Sequence, residues 1–272
     1  MSGPDPAAPR PGRLYRLVVA VVFGLMRLLR WRIEVEGLEH VPTRGGTVLI
    51  ANHLSYVDFF TVGRAPYERL ARPIRLLGKA SLFRTPVLGT IMRAAEHIPV
   101  ERGAGAGALS AAIDALHRGE LIGVLPEQTI SESLELLPFK TGAVRMAQLA
   151  GAPLVPAVSW GTQRAFPVYG PHRPAWGLPV LVAYGPARTV PADADPVVVT
   201  AELRDEMAVM LDRLQHRYPD GLPSGARWVP ARLGGGAPTV AAATARLAAL
   251  EERWRGRLER RRRRTDRRGT AS

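Results

Sequence analysis

The chain has 272 residues, 46% of them hydrophobic and 6% aromatic, enough to bury the core of one domain that carries appended segments. It contains no cysteine, which excludes disulfides, thiolate metal sites and cysteine nucleophiles, and its six histidines lack metal-ligand spacing, so we predict no structural metal. The net charge of +13 indicates attraction to polyanions, either an anionic membrane surface or nucleic acid.

The N-terminal 31 residues divide into two segments. Residues 1–12 include four prolines and are predicted to be a disordered lead. Over residues 13–31, four arginines share one arc of a helical wheel, opposite the apolar side chains: Arg13, Arg16, Arg27 and Arg30. The uninterrupted apolar run from Leu17 to Met26 would be about 15 Å long as a helix, roughly half the thickness of a bilayer core. We therefore predict an amphipathic helix lying in the membrane interface.

Two alternatives for residues 13–31 stay open. A signal peptide would have a similar apolar core, but no small-residue cleavage site follows it, and the chain continues directly into a strand pattern. A helix packed on its own domain would also be apolar along one face.

Strand and helix patterns alternate from Ile33 to about Tyr184. The predicted strands are Ile33–Glu36, Thr47–Ala51, Arg75–Leu77, Glu96–Val100, Leu121–Pro126, Leu154–Ser159 and Pro179–Tyr184. The predicted helices are Val57–Gly63, Pro86–Ala94, Ala108–Arg118, Thr141–Ala150 and Val199–Tyr218. This alternation predicts an α/β fold over residues 32–218, with a mostly parallel central sheet flanked by helices.

The C-terminal part differs in composition. Residues 219–240 are rich in glycine and proline, which predicts a linker. Residues 241–272 hold 11 arginines and 4 acidic residues, a predicted helix followed by a basic tail. Such a charge run is usually a solvated tail, and its functional alternative is attachment to anionic lipid.

A histidine and an aspartate follow the second predicted strand. The apolar run 47–50 is typical of a buried strand, and it delivers Asn52 and His53 to the edge where open α/β sheets build their sites. Asp58 could accept a hydrogen bond from one ring nitrogen and leave the other to take a proton from a substrate hydroxyl. The alternative is structural, because Ser55 and Asp58 have the spacing of a helix capping box.

The segment from Asn52 to Asp58 resembles the His-x4-Asp motif of the glycerolipid acyltransferases, the family that contains 1-acylglycerol-3-phosphate acyltransferase. Further segments resemble that family's motifs in the same order: Gly78–Gly89, His97–Arg102, Val124–Thr129, Pro138–Gly142 and Pro153–Ala157. Together the resemblance covers about residues 45–160.

The resemblance implies roles for individual residues. His53 would be the general base toward the acceptor hydroxyl, and Asp58 would fix its tautomer and stabilise the imidazolium. Arg102 would hold the acceptor phosphate, a task suited to a planar cation with several donors. The remaining substrate-binding residues would be Asn52, Glu127, Thr129 and Lys140.

The implied reaction moves a fatty acyl group from acyl-CoA or acyl carrier protein to a lysophospholipid, in the leading interpretation 1-acylglycerol-3-phosphate, to give phosphatidate. It needs no covalent enzyme intermediate, because the donor thiolate is already a good leaving group, and the resemblance implies no cofactor besides the donor substrate. The implied location is the cytoplasmic face of the cell membrane, with peripheral or monotopic attachment.

The chain also departs from the family pattern. Gln128 and Ile130 stand where the family has glycine and arginine, which leaves the acceptor head group open. Another lyso-lipid, such as a lyso-aminolipid, is therefore an alternative acceptor. A non-catalytic basic protein is the alternative from a different class, but residues 33–218 contain no helix-turn-helix or basic-aromatic RNA motif, so no nucleic acid partner is expected.

Overall fold

The computed structural model describes residues 11–101, 105–168, 172–173, 175–249 and 252. Most of the predicted lead and most of the Arg-rich tail lie outside these residues. The chain forms two compact units, one of residues 1–131 with 136–222 and one of residues 132–135 with 223–272.

The larger unit contains seven strands and seven α-helices over its described residues. The strands are β1 (Arg32–Glu36), β2 (Thr47–Ala51), β3 (Ile74–Lys79), β4 (Ile98–Val100), β5 (Leu121–Val124), β6 (Leu154–Trp160) and β7 (Pro179–Tyr184). The helices are α1 (Arg13–Leu28), α2 (Asp58–Leu70), α3 (Ala80–Phe83), α4 (Pro86–Ala94), α5 (Gly105–His117), α6 (Gly142–Ala150) and α7 (Pro196–His216).

All seven strands join one sheet in the order β1-β7-β6-β2-β5-β3-β4. Every pairing is parallel except the one between β6 and β7, which confirms the predicted mostly parallel α/β sheet. Strands β2, β5, β6 and β7 are buried along their whole length. Burial on both faces is the reason their sequences read as continuous apolar runs.

Helix α1 packs on its own unit, which was one of the alternatives left open by the sequence. Val19, Phe23 and Met26 belong to the buried core beneath the sheet. Phe23 also meets the ring of Tyr67 edge-on in α2, with 6.0 Å between ring centroids. The opposite side of α1 remains apolar and exposed, a surface that we call the α1 stripe: Leu14, Leu17, Val21, Leu25 and Leu28.

The structure corrects the predicted end of α2, which was placed at Gly63. The helix continues through Pro66 to Leu70. Proline has no N–H for the carbonyl of Val62, one turn earlier, and the hydroxyl of Tyr184 donates to that carbonyl instead. A partner from β7 therefore satisfies the group that would otherwise end the helix.

The smaller unit is more ordered than its linker-like composition indicates. Gly225 donates its N–H to the Gly234 carbonyl at 2.8 Å, and Gly236 donates to the Ala226 carbonyl at 2.8 Å. Val229 between them is fully buried. A helix follows over residues 240–249.

Candidate active site

The site lies at the carboxyl edge of the sheet, around its central strand. Strand β2 runs parallel to both of its neighbours, β5 and β6, so the residues that follow all three strands meet at one edge. His53 follows β2, Glu127 follows β5, and Ser159 lies near the end of β6. This is the edge where open α/β sheets bind their ligands.

His53 and Asp58 form the predicted pair. Nδ1 of His53 lies 3.3 Å from Oδ2 of Asp58, and the imidazole is 18% exposed whereas the carboxylate is fully buried. Because the contact uses Nδ1, Nε2 is the nitrogen that can take a proton from a substrate hydroxyl.

The Asp58 carboxylate is held by several donors at once. Oδ2 also accepts the N–H groups of Leu54 and Ser55 at 2.6 and 2.7 Å. Oδ1 accepts the hydroxyls of Ser159, at 3.3 Å, and Thr162. The predicted capping box is formed only in part: Asp58 accepts the Ser55 N–H, but α2 begins at Asp58 with Val57 at its N-cap, and the Ser55 hydroxyl donates to the Phe166 carbonyl.

The sequence did not single out Ser159 and Thr162. Both come from β6 and the turn after it, about one hundred residues beyond Asp58 in the chain. Their hydroxyl groups become significant only once β6 is known to be the neighbour of β2. The sole signal in the sequence was a pair of hydroxyl residues around the end of a predicted strand.

Asn52 is hydrogen-bonded to β6. Its Nδ2 donates to the Ser159 carbonyl at 3.1 Å, and its Oδ1 accepts the Ser159 N–H at 2.8 Å. The residue is fully buried. We therefore propose that Asn52 ties β2 to β6 beneath His53, instead of the substrate contact implied by the resemblance.

Glu127 lies on the other side of His53, on the turn after β5. Its side chain is buried, and Oε1 accepts the main-chain N–H of His53 at 2.9 Å. Burial raises the pKa of Glu127 to about 8, against the lowering effect of the N–H groups of Leu137 and His53. The next residue, Gln128, has a φ of 60°. This left-handed conformation favours glycine, the residue that the family has there.

The other predicted substrate residues differ in exposure. Thr129 is half-buried and Lys140 is exposed. The N–H of Lys140 donates to the Pro126 carbonyl at 3.0 Å, which returns the chain to the end of β5. Ile130 is buried. Arg102 lies outside the described residues, two positions after β4 ends.

Lys79 lies in the segment Gly78–Gly89 that resembles a family motif. It is exposed at the end of β3, on the same carboxyl edge of the sheet.

Among the described residues, no group of three or more histidine, aspartate or glutamate side chains is arranged to hold a metal ion.

Comparison with known sequences gives a consistent result. The model of the family described as Acyltransferase matches residues 32–160. The 1-acyl-sn-glycerol-3-phosphate acyltransferase of Bacillus subtilis is 34% identical over 136 residues, which cover 49% of this chain and 65% of that protein. The enzyme of the same name from Limnanthes alba is 32% identical, over 49% of this chain and 47% of that protein. The chain thus covers less than two thirds of these relatives.

Two further similarities extend past residue 160. An uncharacterized protein of Mycobacterium leprae is 27% identical over 233 residues, 70% of this chain and 61% of that protein. The crystal structure of the 1-acyl-sn-glycerophosphate acyltransferase PlsC from Thermotoga maritima superimposes with a TM-score of 0.59 at 21% identity. That superposition covers 75% of this chain and 82% of the other, so the two share a fold.

Proposed function

We propose that this chain, whose residues 32–160 match the Acyltransferase family model, is a glycerolipid acyltransferase that transfers a fatty acyl group to the free hydroxyl of a lysophospholipid. The observation that carries the proposal is the pair of His53 with the buried Asp58 carboxylate, 3.3 Å apart at the carboxyl edge of β2. A base held by a fixed anion is what the attack of an alcohol on a thioester needs.

In the proposed reaction Nε2 of His53 takes the proton of the acceptor hydroxyl as the oxygen attacks the thioester carbonyl. The bond from oxygen to the acyl carbon forms, the bond from carbon to sulfur breaks, and the electron pair leaves on the thiolate of the donor. The proton then passes from the imidazolium to that thiolate. Asp58 keeps the Nδ1 proton in place and stabilises the imidazolium while it exists.

For the acceptor we propose 1-acylglycerol-3-phosphate, the substrate in the names of the Bacillus subtilis and Limnanthes alba relatives. Its phosphate would be bound by cations, for which the chain offers Lys140 and Lys79 among the described residues, together with Arg102, which lies outside them. Thr129, half-buried on the turn after β5, would add a hydroxyl. The donor is acyl-CoA or acyl carrier protein.

One observation favours a second acceptor. Ile130 stands where the family has arginine, and its side chain is buried, so the turn after β5 carries one cation fewer. A charged hydrogen bond is worth about 1.5–3 kcal/mol, and its loss weakens the preference for a phosphomonoester. A lyso-aminolipid is the second candidate.

We further propose that the protein works on the surface of an anionic membrane, at the cytoplasmic face, as a peripheral or monotopic protein. No described helix is sufficiently long and apolar to cross a bilayer. The α1 stripe exposes five apolar side chains, and exposed Arg13 and Arg16 on the same helix could meet lipid phosphates. This is the composition of a helix that lies in the interface.

The test is an assay of the purified protein on a panel of lyso-lipids with both donor types. We expect transfer to lysophosphatidate, abolished in His53→Ala without loss of the folded state. A better rate with a lyso-aminolipid would shift the acceptor to the second candidate. Failure with every acceptor and both donors, in a folded protein, would refute the acyl-transfer proposal.

A further inference from the structure

The turn after β5 brings a buried carboxylate against the main chain of the catalytic histidine. Glu127 is 6% exposed. The N–H of Gln128 donates to the Leu125 carbonyl at 3.2 Å, and the left-handed φ of Gln128 turns the chain sharply there. The Glu127 side chain is thereby directed toward the interior of the unit and not toward solvent.

Both carboxylate oxygens of Glu127 are occupied by main-chain donors. Oε1 accepts the N–H of His53 at 2.9 Å, and Oε2 accepts the N–H of Leu137 at 2.9 Å. These donors belong to segments more than eighty residues apart in the chain. One side chain therefore joins the segment after β2 to the segment that leads to α6.

A second bond runs in the opposite direction. The N–H of Ser131 donates to the His53 carbonyl at 2.8 Å. Both polar main-chain groups of His53 are thus bonded to residues of the 127–131 turn, while Asp58 holds its imidazole. A histidine with a fixed main chain has fewer ways to move out of line with its substrate.

We propose that Glu127 is a positioning residue that acts through the main chain of His53, and that it does not bind the acceptor lipid. This departs from the acceptor-orienting role that the family resemblance implies for it. The proposal rests on the proposed acyl transfer for its kinetic test and is independent of it for its structural test.

The hydrogen-bonding capacity of a carboxylate supports this assignment. A carboxylate is the one side-chain group that can accept at two separate oxygens without presenting a donor to either N–H. Two buried N–H groups left without an acceptor would be costly. Burial raises the pKa of Glu127 to about 8, while the N–H groups of Leu137 and His53 lower it, so both hydrogen bonds are complete only above that pKa, where the carboxyl group is ionised.

The test compares Glu127→Gln with the natural protein at a pH above the pKa of Glu127, where the carboxyl group is ionised. The amide of glutamine can accept only one of the two N–H groups, and its NH₂ faces the other as a second donor. We expect kcat to fall by about tenfold or more, while KM for lysophosphatidate changes by less than about twofold. A raised KM with an unchanged kcat would overturn the proposal, because it would place Glu127 in contact with the acceptor.

Glu120→Gln is the matched control. Glu120 is also buried, at the other end of β5, where it pairs with Arg75 and Arg118. Its loss removes a buried carboxylate next to the same strand without touching His53. We expect it to reduce stability while kcat stays within about twofold of the natural value.

Amide hydrogen exchange supplies the readout that does not depend on activity. In the natural protein the amides of His53 and Leu137 should exchange at least about 10²-fold more slowly than in a free peptide. In Glu127→Gln at least one of them should exchange faster, and neither should change in Glu120→Gln. Fast exchange of both in the natural protein, or no change in Glu127→Gln, would overturn the proposal.

If Glu127→Gln does not fold, Glu127→Asp takes its place. Aspartate keeps the charge but is one methylene shorter, so it cannot span both segments, and we expect the same pattern with a smaller loss of kcat. If the natural protein does not acylate lysophosphatidate, the proposed function fails at that step, and the exchange measurements still decide whether Glu127 holds the histidine.

Discussion

At the scale of single residues, the proposed mechanism gives the Asp58 carboxylate a part in both the fold and the chemistry. Its oxygens accept main-chain N–H groups of Leu54 and Ser55, hydroxyls of Ser159 and Thr162, and the imidazole of His53. Main-chain N–H groups and hydroxyls can hydrogen-bond to a carboxylate or to an amide, whereas an imidazolium is stabilised by a negative charge. The catalytic part of the role can therefore be separated from the structural part.

Asp58→Asn makes that separation. Asparagine can still accept the N–H groups with its carbonyl oxygen, and the two hydroxyls can rotate to accept from its NH₂. We expect kcat to fall by about 10²-fold or more while the melting temperature falls only slightly. Steady-state kinetics and thermal unfolding measure the two effects. Turnover close to that of the natural protein would reduce Asp58 to a helix cap.

His97 gives a second prediction, on the pH dependence of stability. Its Nδ1 accepts the N–H of Leu76 at 3.1 Å, and burial, helped by Arg75, lowers the pKa of His97 to about 4. The unfolded chain binds a proton near pH 6.5 and the folded chain does not. Stability contributed by neutral His97 is therefore present above pH 6.5 and lost as the pH falls toward 4.

The variant His97→Asn isolates this effect, because its carbonyl oxygen can take the place of Nδ1 without titrating. Urea unfolding at a series of pH values should show a shallower loss of stability between pH 6.5 and 4 than the natural protein shows. The groups around the ring, Arg75, Glu96 and Tyr15, remain in both proteins and cancel in the difference. Equal slopes in that window would contradict the prediction.

The sequence was sufficient to predict the residues of the candidate site that contact each other over a short distance along the chain. His53 and Asp58 are five residues apart, so one helical turn after a strand brings them together. The contacts of Ser159 and Thr162 with Asp58 could not be predicted, because they depend on the order of the strands in the sheet, and hydrophobic patterns do not reveal that order. The contacts of Asn52 and Glu127 could not be predicted from the sequence, because both side chains bond to main-chain groups of distant segments.

At the scale of elements, strands were easier to predict than helix ends. The bounds of β2 and β7 were correct, because fully buried strands are continuous apolar runs flanked by turn residues. Helix α3 was missed, since four residues show no helical period. The end of α2 was wrong because the partner of the Val62 carbonyl comes from β7.

The third prediction concerns the Tyr184 hydroxyl. Tyr184→Phe keeps the ring and removes the hydroxyl that donates to the Val62 carbonyl, so a buried acceptor in the middle of α2 loses its donor. We expect the free energy of unfolding to fall by about 1–3 kcal/mol, measured by urea denaturation. Tyr56→Phe, at an exposed tyrosine, is the control and should change it by less than about 0.5 kcal/mol. Equal effects would remove the assigned role of the hydroxyl.

At the scale of the whole molecule, α1 has two apolar faces where the sequence predicted one. Val19, Phe23 and Met26 pack into the core of the larger unit, and the α1 stripe lies on another side of the helix. A helical wheel does not show which apolar positions a neighbour covers, since that depends on where α2 lies. Deleting the helix would therefore expose the core, and membrane binding has to be tested on the stripe alone.

The last prediction tests whether the α1 stripe binds the membrane. Leu17, Val21 and Leu25 are each at least half exposed, so replacing all three with glutamine leaves the core intact. We expect the triple variant to bind vesicles of anionic phospholipid at least about tenfold more weakly, because membrane affinity scales with the apolar area buried in the interface. Sedimentation with vesicles measures the binding.

A matched control places the same change elsewhere on the surface. Leu149, Val197 and Val209 are also more than half exposed, on α6 and α7. Their replacement by glutamine lowers surface hydrophobicity by a similar amount, so a general loss of stickiness would weaken both triple variants alike. Loss confined to the stripe variant places the lipid surface at α1, and equal binding by the stripe variant and the natural protein would show that α1 does not enter the membrane interface.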